Sequence, residues 1–221
     1  MTTTEYINYI LQALEMPLWG RWQLKEQIAA FPDSALYSLE SRRMNRTETA
    51  VLKIMPLVAS KPYLTEEQKQ SQIARAREQA EQESDLLFRL QSCPNIVTYQ
   101  DEDLQEMQAD GLLEGYVYLI RMEALECLTD SIRTHRFFCS EENVIRLAKD
   151  LAYALMFAHA QGITHRGIQP DEIFLSEAGT AKLGGFRPPK RSGTAPDYDT
   201  YIAPEIFMQN RSAEFTPQAD L

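Results

Sequence analysis

The sequence predicts an α+β protein in which short strands and helices alternate ahead of a long helix. Capping residues followed by apolar residues at helical spacing indicate helices within residues 2–14, 65–90 and 140–162. Short apolar stretches indicate strands at Ala50–Ile54, Ile96–Gln100 and Tyr116–Met122. We therefore expect a sheet accompanied by helices rather than an all-helical fold.

The first helix lies within residues 1–20, ahead of the main domain. Thr2 and Glu5 have the spacing of a capping box, in which two side chains satisfy free amides of the first turn. The apolar residues that follow at helical spacing are Ile7, Ile10, Leu11 and Leu14. This face either packs against its own domain or binds a partner. Packing is favoured, because nothing distinguishes the face from an ordinary docking face.

The second helix carries one carboxylate on its inward face. Thr65 and Gln68 form its capping signature. Small or apolar residues then follow on one side: Ile73, Ala76, Ala80, Leu87 and Leu90. Glu83 falls on the same side, and a carboxylate on an apolar face normally needs a partner.

The third helix begins after Ser140 and ends at Gly162, a residue that tolerates left-handed backbone geometry. Its predicted buried side consists of apolar residues: Val144, Ile145, Leu147, Ala148, Leu151, Leu155 and Ala158.

Residues 163–187, which follow this helix, resemble the catalytic and metal-binding loops of the eukaryotic-type protein kinase superfamily. In that family the pattern is His-Arg-Asp-x-Lys-x-x-Asn, followed by Asp-Phe-Gly. His165 and Arg166 match its first two residues, and Phe186 matches the central Phe. The resemblance implies that His165, Phe186 and Leu87 belong to the hydrophobic stack of an ordered kinase.

The positions that carry the family's chemistry have changed. The family's first Asp accepts the substrate hydroxyl proton, the Lys lies beside the phosphate, and the Asn and second Asp hold magnesium. These positions are occupied here by Gly167, Gln169, Glu172 and Gly185. The resemblance therefore implies a degenerate member, a pseudokinase, with no intact catalytic residue and no metal site.

Two further landmarks strengthen the resemblance. Ala50–Ile54 resembles the family's Val-Ala-Ile-Lys strand, so Lys53 takes the place of the phosphate-pairing lysine. Cys93–Val97 resembles a His-Pro-Asn-Ile-Val sequence, and counting back from it aligns Glu83 with the family's partner for that lysine. A remnant Lys53–Glu83 ion pair is thus expected, and the alternative is a solvated Glu83.

The nucleotide site is also altered. The three glycines of the family's phosphate-covering loop align with Ala29, Phe31 and Ser34, with Pro32 between them. Side chains at all three positions make a poor phosphate cradle.

The resemblance further implies an adenine pocket lined by Val51, Met122 and Phe174. Val51 and Phe174 stand where the family has smaller residues, so both oppose adenine entry. No cofactor is expected beyond weak ATP binding.

The last part of the chain resembles the end of an activation segment at Ala203–Glu205. Hydroxyl residues nearby are either phosphorylation sites, with Arg166 as the docking cation, or plain loop residues: Thr194, Tyr198, Thr200 and Tyr201. Asp220 aligns with the family residue that begins the central C-lobe helix and anchors the catalytic loop.

The implied architecture is a two-lobe kinase-like fold over residues 21–221. Residues 21–122 form an N-lobe of five antiparallel strands plus one helix, the family's αC. Residues 123–221 form a truncated, mainly helical C-lobe. We expect residues beyond Leu221, a partner or a second copy of the chain to complete it.

Charge and cysteine content restrict the function class. A net charge of −10 argues against a nucleic-acid surface, and no apolar run approaches the roughly 20 residues of a membrane span. Three cysteines without metal spacing indicate reduced thiols in a cytoplasmic protein. The resemblance implies a regulatory or scaffolding module that binds another protein. The alternative is an atypical phosphotransferase that binds ATP through Lys53 and Glu83 and metal through Glu172.

Overall fold

The computed structural model describes residues 3–31, 33–58, 65–109, 113–137, 139–186, 201, 203–205 and 216–221. The chain divides into two compact units. The first comprises Met1–Asp85 and Tyr99–Ala124, and the second comprises Leu86–Thr98 and Leu125–Leu221.

The first unit is built on a five-stranded antiparallel sheet, which confirms the predicted sheet of the kinase-like α+β fold. Its strands are β1 (Gln23–Ala30), β2 (Ala35–Arg43), β3 (Arg46–Val58), β4 (Tyr99–Ala109) and β5 (Leu113–Glu123). They lie in the order β1-β2-β3-β5-β4, so that β1 and β4 form the edges.

The strand predicted at Ile96–Gln100 is misplaced. Ile96 instead forms an isolated parallel bridge with Leu183, and β4 begins at Tyr99 and runs through an acidic stretch. Acidic residues hide the alternating pattern of this strand. An edge strand tolerates them because one of its sides faces water, and they also discourage pairing with other chains.

Helix α1 (Thr3–Ala13) packs on one face of this sheet. Its residues Ile7 and Ile10 are buried, as is Leu14 just beyond its end. They join Leu18, Trp22 and the apolar side chains that β2, β3 and β5 present on the same face: Ala35, Tyr37, Leu39, Ala50, Leu52, Ile54, Val117 and Leu119. The structure therefore confirms that α1 packs against its own domain.

Helix α2 (Glu66–Leu90) starts with the predicted capping box. The Gln68 amide donates to Thr65 Oγ1 over 3.3 Å, and the Thr65 amide donates to Gln68 Oε1 over 3.1 Å. Its inward stripe includes Ile73, Ala80 and Leu87, all buried.

The second unit contains two further helices and a small sheet. The elements are β6 (Glu126–Cys127), α3 (Leu128–Arg133), α4 (Glu141–Ala160), β7 (Ile173–Leu175) and β8 (Ala181–Leu183). The three strands pair antiparallel in the order β6-β7-β8. Ser140 caps α4 by accepting the Asn143 amide, and Gly162 follows its end at φ +72°.

The buried side of α4 differs from the prediction. Its last turns are buried at Ala154, Leu155 and Ala158, whereas Val144 and Ile145 near its start are about half exposed. Apolar spacing identifies which residues share a face of a helix, but it does not say how much of that face the surrounding chain covers.

No helix among the described residues combines the length and the apolar character needed to cross a membrane.

We expect α1 to contribute strongly to the stability of the first unit. Replacing Ile10 by Ala leaves a cavity against the sheet and should lower the free energy of unfolding by about 2–4 kcal/mol. Urea denaturation measures this change, with the exposed neighbour Gln12→Ala as the control. Equal, small effects of both substitutions would contradict the packing role of α1.

Candidate functional site

The structure brings Lys53 and Glu83 together in the first unit. Lys53 lies on β3 and Glu83 on α2, and Lys53 Nζ is 2.5 Å from Glu83 Oε1. Only 14% and 13% of the two side chains are exposed. Because the pair is largely shielded from water, removing one partner would leave a poorly solvated charge, so the pair fastens α2 to the sheet.

A second set of hydrogen bonds holds Ser84, the next residue of α2. The hydroxyls of Ser84 and Tyr118 both donate to the Glu102 carboxylate. Tyr118 is buried, and this burial is the main reason that its pKa is raised well above that of a free tyrosine. Glu83 is thus connected to β3 through Lys53. Ser84 is connected to β4 through Glu102, which also binds Tyr118 of β5.

Val51 and Met122, two of the residues aligned with the adenine pocket, are direct neighbours across β3 and β5. Both are half-buried. Val51 is two residues from Lys53 and therefore points to the same face of the sheet. Phe174, the third aligned residue, belongs to β7 of the second unit.

The positions aligned with the phosphate-covering loop form the end of a hairpin. Ala29 pairs with Leu36 across β1 and β2, and the Phe31 amide donates to the Ser34 carbonyl over 2.8 Å. The Phe31 amide is therefore engaged within the turn. Pro32 lies outside the described residues.

In the second unit, Asp220 anchors the loop that carries His165 and Arg166. The backbone amides of His165 and Arg166 each donate to the Asp220 carboxylate over 2.7 Å. His159 on α4 adds a third contact, with Nε2 at 2.8 Å from Asp220 Oδ2. The Asp220 side chain has no exposed surface, so these contacts replace its water shell.

Arg166 has a backbone conformation that is unusual for a residue with a side chain. Its φ is +70°, in the left-handed region that favours glycine. The hydrogen bonds from the His165 and Arg166 amides to Asp220 hold this strained geometry. Burial lowers the pKa of the Arg166 guanidinium, and nearby Asp220 partly offsets that effect.

His165 connects this loop to the strand that follows. Its Nε2 lies 2.6 Å from the Gly184 carbonyl oxygen, which can only accept, so Nε2 carries the proton. Its ring packs edge-on against Phe186 at a centroid distance of 4.6 Å. Leu87, the third aligned residue of the stack, is buried in the same unit.

The space around Gly167, which aligns with the family's catalytic base, is open. A Cβ added at Gly167 would meet no other atom within 4 Å. The Gln169 carbonyl accepts the Glu172 amide over 3.0 Å and so helps to shape the turn at Pro170–Glu172. Asp171 is exposed and accepts a hydrogen bond from Thr129 Oγ1 over 2.7 Å.

The two positions aligned with the family's metal ligands lie directly against each other. Gly185 has φ +70°, and a Cβ built there would fall on the Glu172 carboxyl group, well inside 3.0 Å. The Glu172 carboxylate therefore fills the space that a side chain at position 185 would need. A similar close approach occurs one residue earlier, where a Cβ at Gly184 would lie 2.7 Å from the Phe174 ring.

The donor set at these two positions differs from a two-ligand magnesium site, because it consists of one carboxylate facing a glycine. Within the described ranges, no group of three or more His, Cys, Asp or Glu side chains is arranged to hold a metal ion. The residues present therefore do not reproduce the metal site that the resemblance implies for an active kinase.

Sequence reasoning missed two residues of this region. His159 and Gly184 take part through tertiary contacts, which the spacing of neighbouring residues does not reveal. The candidate phosphorylation sites Thr194, Tyr198 and Thr200, together with Arg187, lie outside the described residues, and Tyr201 is exposed.

The model of the protein kinase domain matches residues 49–221, which is most of the chain. This chain belongs to the protein kinase domain family. The match confirms the kinase resemblance and the fold predicted from the sequence.

Curated relatives of this kinase domain include three named as kinases. Cyclin-dependent kinase F-3 of Oryza sativa subsp. japonica is 28% identical over 58% of the chain and 28% of its own length. Human serine/threonine-protein kinase PAK 4 is 30% identical over 56% of the chain and 21% of its own length. Serine/threonine-protein kinase PEPKR2 of Arabidopsis thaliana is 25% identical over 63% of the chain and 29% of its own length. The chain thus spans less than a third of each.

We expect Asp220→Asn to loosen the loop at His165 and Arg166. An Asn side chain keeps one acceptor oxygen and replaces the other by an NH₂ group, so one buried amide loses its partner. The free energy of unfolding should fall by about 1–3 kcal/mol, and both amides should exchange hydrogen faster.

Hydrogen exchange monitored by mass spectrometry measures this effect, with the exposed Asp171→Asn as the matched control. Unchanged exchange at residues 165 and 166 in Asp220→Asn would contradict the anchoring role.

Proposed function

We propose that this kinase domain is catalytically inactive and serves as a regulatory or scaffolding module that binds another protein. The observation that carries the proposal is that Glu172, the one carboxylate at the two positions aligned with the metal ligands, lies against Gly185, which offers no ligand group. A carboxylate that fills the place of its neighbouring ligand leaves a single ligand group where the family uses two.

The open position at Gly167 supports the same proposal. A positioned general base typically contributes about 10²–10⁴-fold to a rate, and metal ions supply much of the electrostatic stabilisation of phosphoryl transfer. Glycine has no group that accepts a proton. Gln169 likewise lacks the positive charge that a lysine would place beside the phosphate.

The proposal includes no cofactor beyond weak ATP binding. Val51 and Phe174 are larger than the residues of the family at the aligned positions, and overfilling a packed site typically costs about 1–3 kcal/mol. We propose a protein as the partner, either a neighbouring domain, another kinase or a second copy of the chain. A cytoplasmic location remains part of this proposal.

A second candidate function is an atypical ATP-binding phosphotransferase. Two observations favour it: Lys53 and Glu83 are paired at 2.5 Å, and the curated relatives are named as kinases. In this alternative Lys53 contacts the nucleotide phosphates and Glu172 binds the metal ion.

Thermal unfolding with ATP, alone and with Mg²⁺ or Mn²⁺, distinguishes the two candidates. A ligand present at about 100 times its dissociation constant stabilises the folded state by about 2.7 kcal/mol, which shifts the unfolding midpoint visibly. We expect no shift with either metal ion.

An active kinase from the same family serves as the positive control for this measurement. A metal-dependent shift that disappears in Lys53→Ala would contradict the account of Val51, Phe174 and Gly185 and favour the phosphotransferase, whose activity an assay then tests. The Lys53→Ala protein must itself unfold cooperatively for that comparison, because the substitution leaves Glu83 without its cation.

A further inference from the structure

The first unit contains a pocket that the kinase resemblance does not account for. Its volume is about 520 Å³, and it is open to solvent. Six residues line it: Arg21, Trp22, Glu48, Thr49, Gln100 and Arg121. They come from the segment before β1 and from β3, β4 and β5.

Two arginines of the pocket are held against tryptophan rings. The guanidinium carbon of Arg21 lies 5.0 Å from the centre of the Trp22 ring. That of Arg121 lies 4.9 Å from the Trp22 ring and 5.4 Å from the Trp19 ring. Such contacts fix the guanidinium planes, which lowers the entropy that a ligand-binding arginine must lose.

Hydrogen-bond donors are in excess around the pocket. The indole N–H of Trp22, the Nε–H of Arg121 and the hydroxyl of Ser41 are buried and have no partner among the described residues. Trp22 is 2% exposed, and Ser41 is 1% exposed and lies opposite Glu48 across β2 and β3. Unpaired buried donors are rare in native proteins, so their clustering sets this part of the first unit apart.

The acids already present do not use all the donors of the two arginines. Arg21 contacts Glu48 over 2.7 Å, and Arg121 contacts Asp101 over 3.1 Å and Gln100 over 3.0 Å. A guanidinium has five N–H groups, and both partners of the Arg21–Glu48 pair are 40% exposed. An exposed pair of this kind is weak and exchanges readily with another carboxylate.

The pocket lies on the side of the sheet opposite Lys53. Arg121 pairs with Leu52 and therefore points to the face that α1 covers, whereas Lys53 is the next residue and points to the other face. Binding here is therefore physically separate from any nucleotide contact that Lys53 makes.

We propose that this pocket binds the carboxylate side chains of an acidic segment of a partner protein. Carboxylates match the fixed guanidinium planes and can accept from the remaining N–H groups of the two arginines. A volume of about 520 Å³ admits several side chains rather than one small ion. The proposal names the binding surface of the protein-binding function proposed above and rests on it.

The chain's two tryptophans, Trp19 and Trp22, make a direct test possible, because both lie at this site. Their fluorescence emission is recorded during titration with hexaglutamate at fixed ionic strength, and with hexalysine as the charge-reversed probe. We expect a saturable change with hexaglutamate and none with hexalysine.

Three variants locate the binding. Arg21→Gln removes a cation from the pocket and should weaken hexaglutamate binding about tenfold, the effect of one lost charged hydrogen bond. Glu48→Gln removes the competing carboxylate and should strengthen binding. The matched control is Arg75→Gln, an exposed arginine of α2 outside the pocket, which should leave binding within about twofold of the wild type.

The absence of a saturable emission change in the folded wild-type protein would overturn the proposal. So would equal weakening by Arg21→Gln and Arg75→Gln, which indicates unspecific attraction. An emission change with inorganic phosphate but not with hexaglutamate would assign the pocket to phosphate instead. None of these measurements includes a nucleotide, so this proposal and the inactive-domain proposal fail independently.

Discussion

The carboxylate of Asp220 joins three parts of the second unit that are distant in the sequence. It accepts the backbone amides of His165 and Arg166 and contacts His159 of α4, all within 2.8 Å. With no exposed surface of its own, the carboxylate depends on these partners, and the left-handed backbone at Arg166 depends on the carboxylate. His165 then extends the connection to Gly184 and Phe186.

These contacts do not involve the positions that the resemblance aligns with the family's catalytic residues. Asp220 binds backbone amides and His165 binds a carbonyl oxygen, so neither contact uses a side chain at position 167, 169, 172 or 185. In the first unit, the Lys53–Glu83 pair is likewise independent of those positions. It holds α2 on the sheet, next to the hydrogen bond between Ser84 and Glu102. Structural contacts and phosphoryl-transfer chemistry therefore use different atoms of neighbouring residues.

Sequence patterns predicted the parts of this fold that depend on local spacing. The capping box at Thr65 and the end of α4 at Gly162 each follow from a few adjacent residues, whereas the anchoring role of Asp220 was implied by the family resemblance. The predicted start of β4 was wrong, because acidic residues hide the alternating pattern of this edge strand. Apart from the Lys53–Glu83 pair, which the resemblance implied, distant contacts could not be predicted: the closeness of Glu172 to Gly185 depends on backbone angles, and the pocket of Arg21 and Arg121 depends on strand register.

A phosphoryl-transfer assay tests the proposed inactivity of this kinase domain most directly. The protein is incubated with γ-labelled ATP and Mg²⁺ or Mn²⁺, with and without a mixture of Ser, Thr and Tyr peptides, and transfer is compared with that of Lys53→Ala. We expect both proteins to remain at the background of a reaction without enzyme. Transfer to peptide or to the protein itself that exceeds the background and is lost in Lys53→Ala would contradict the inactive-domain assignment.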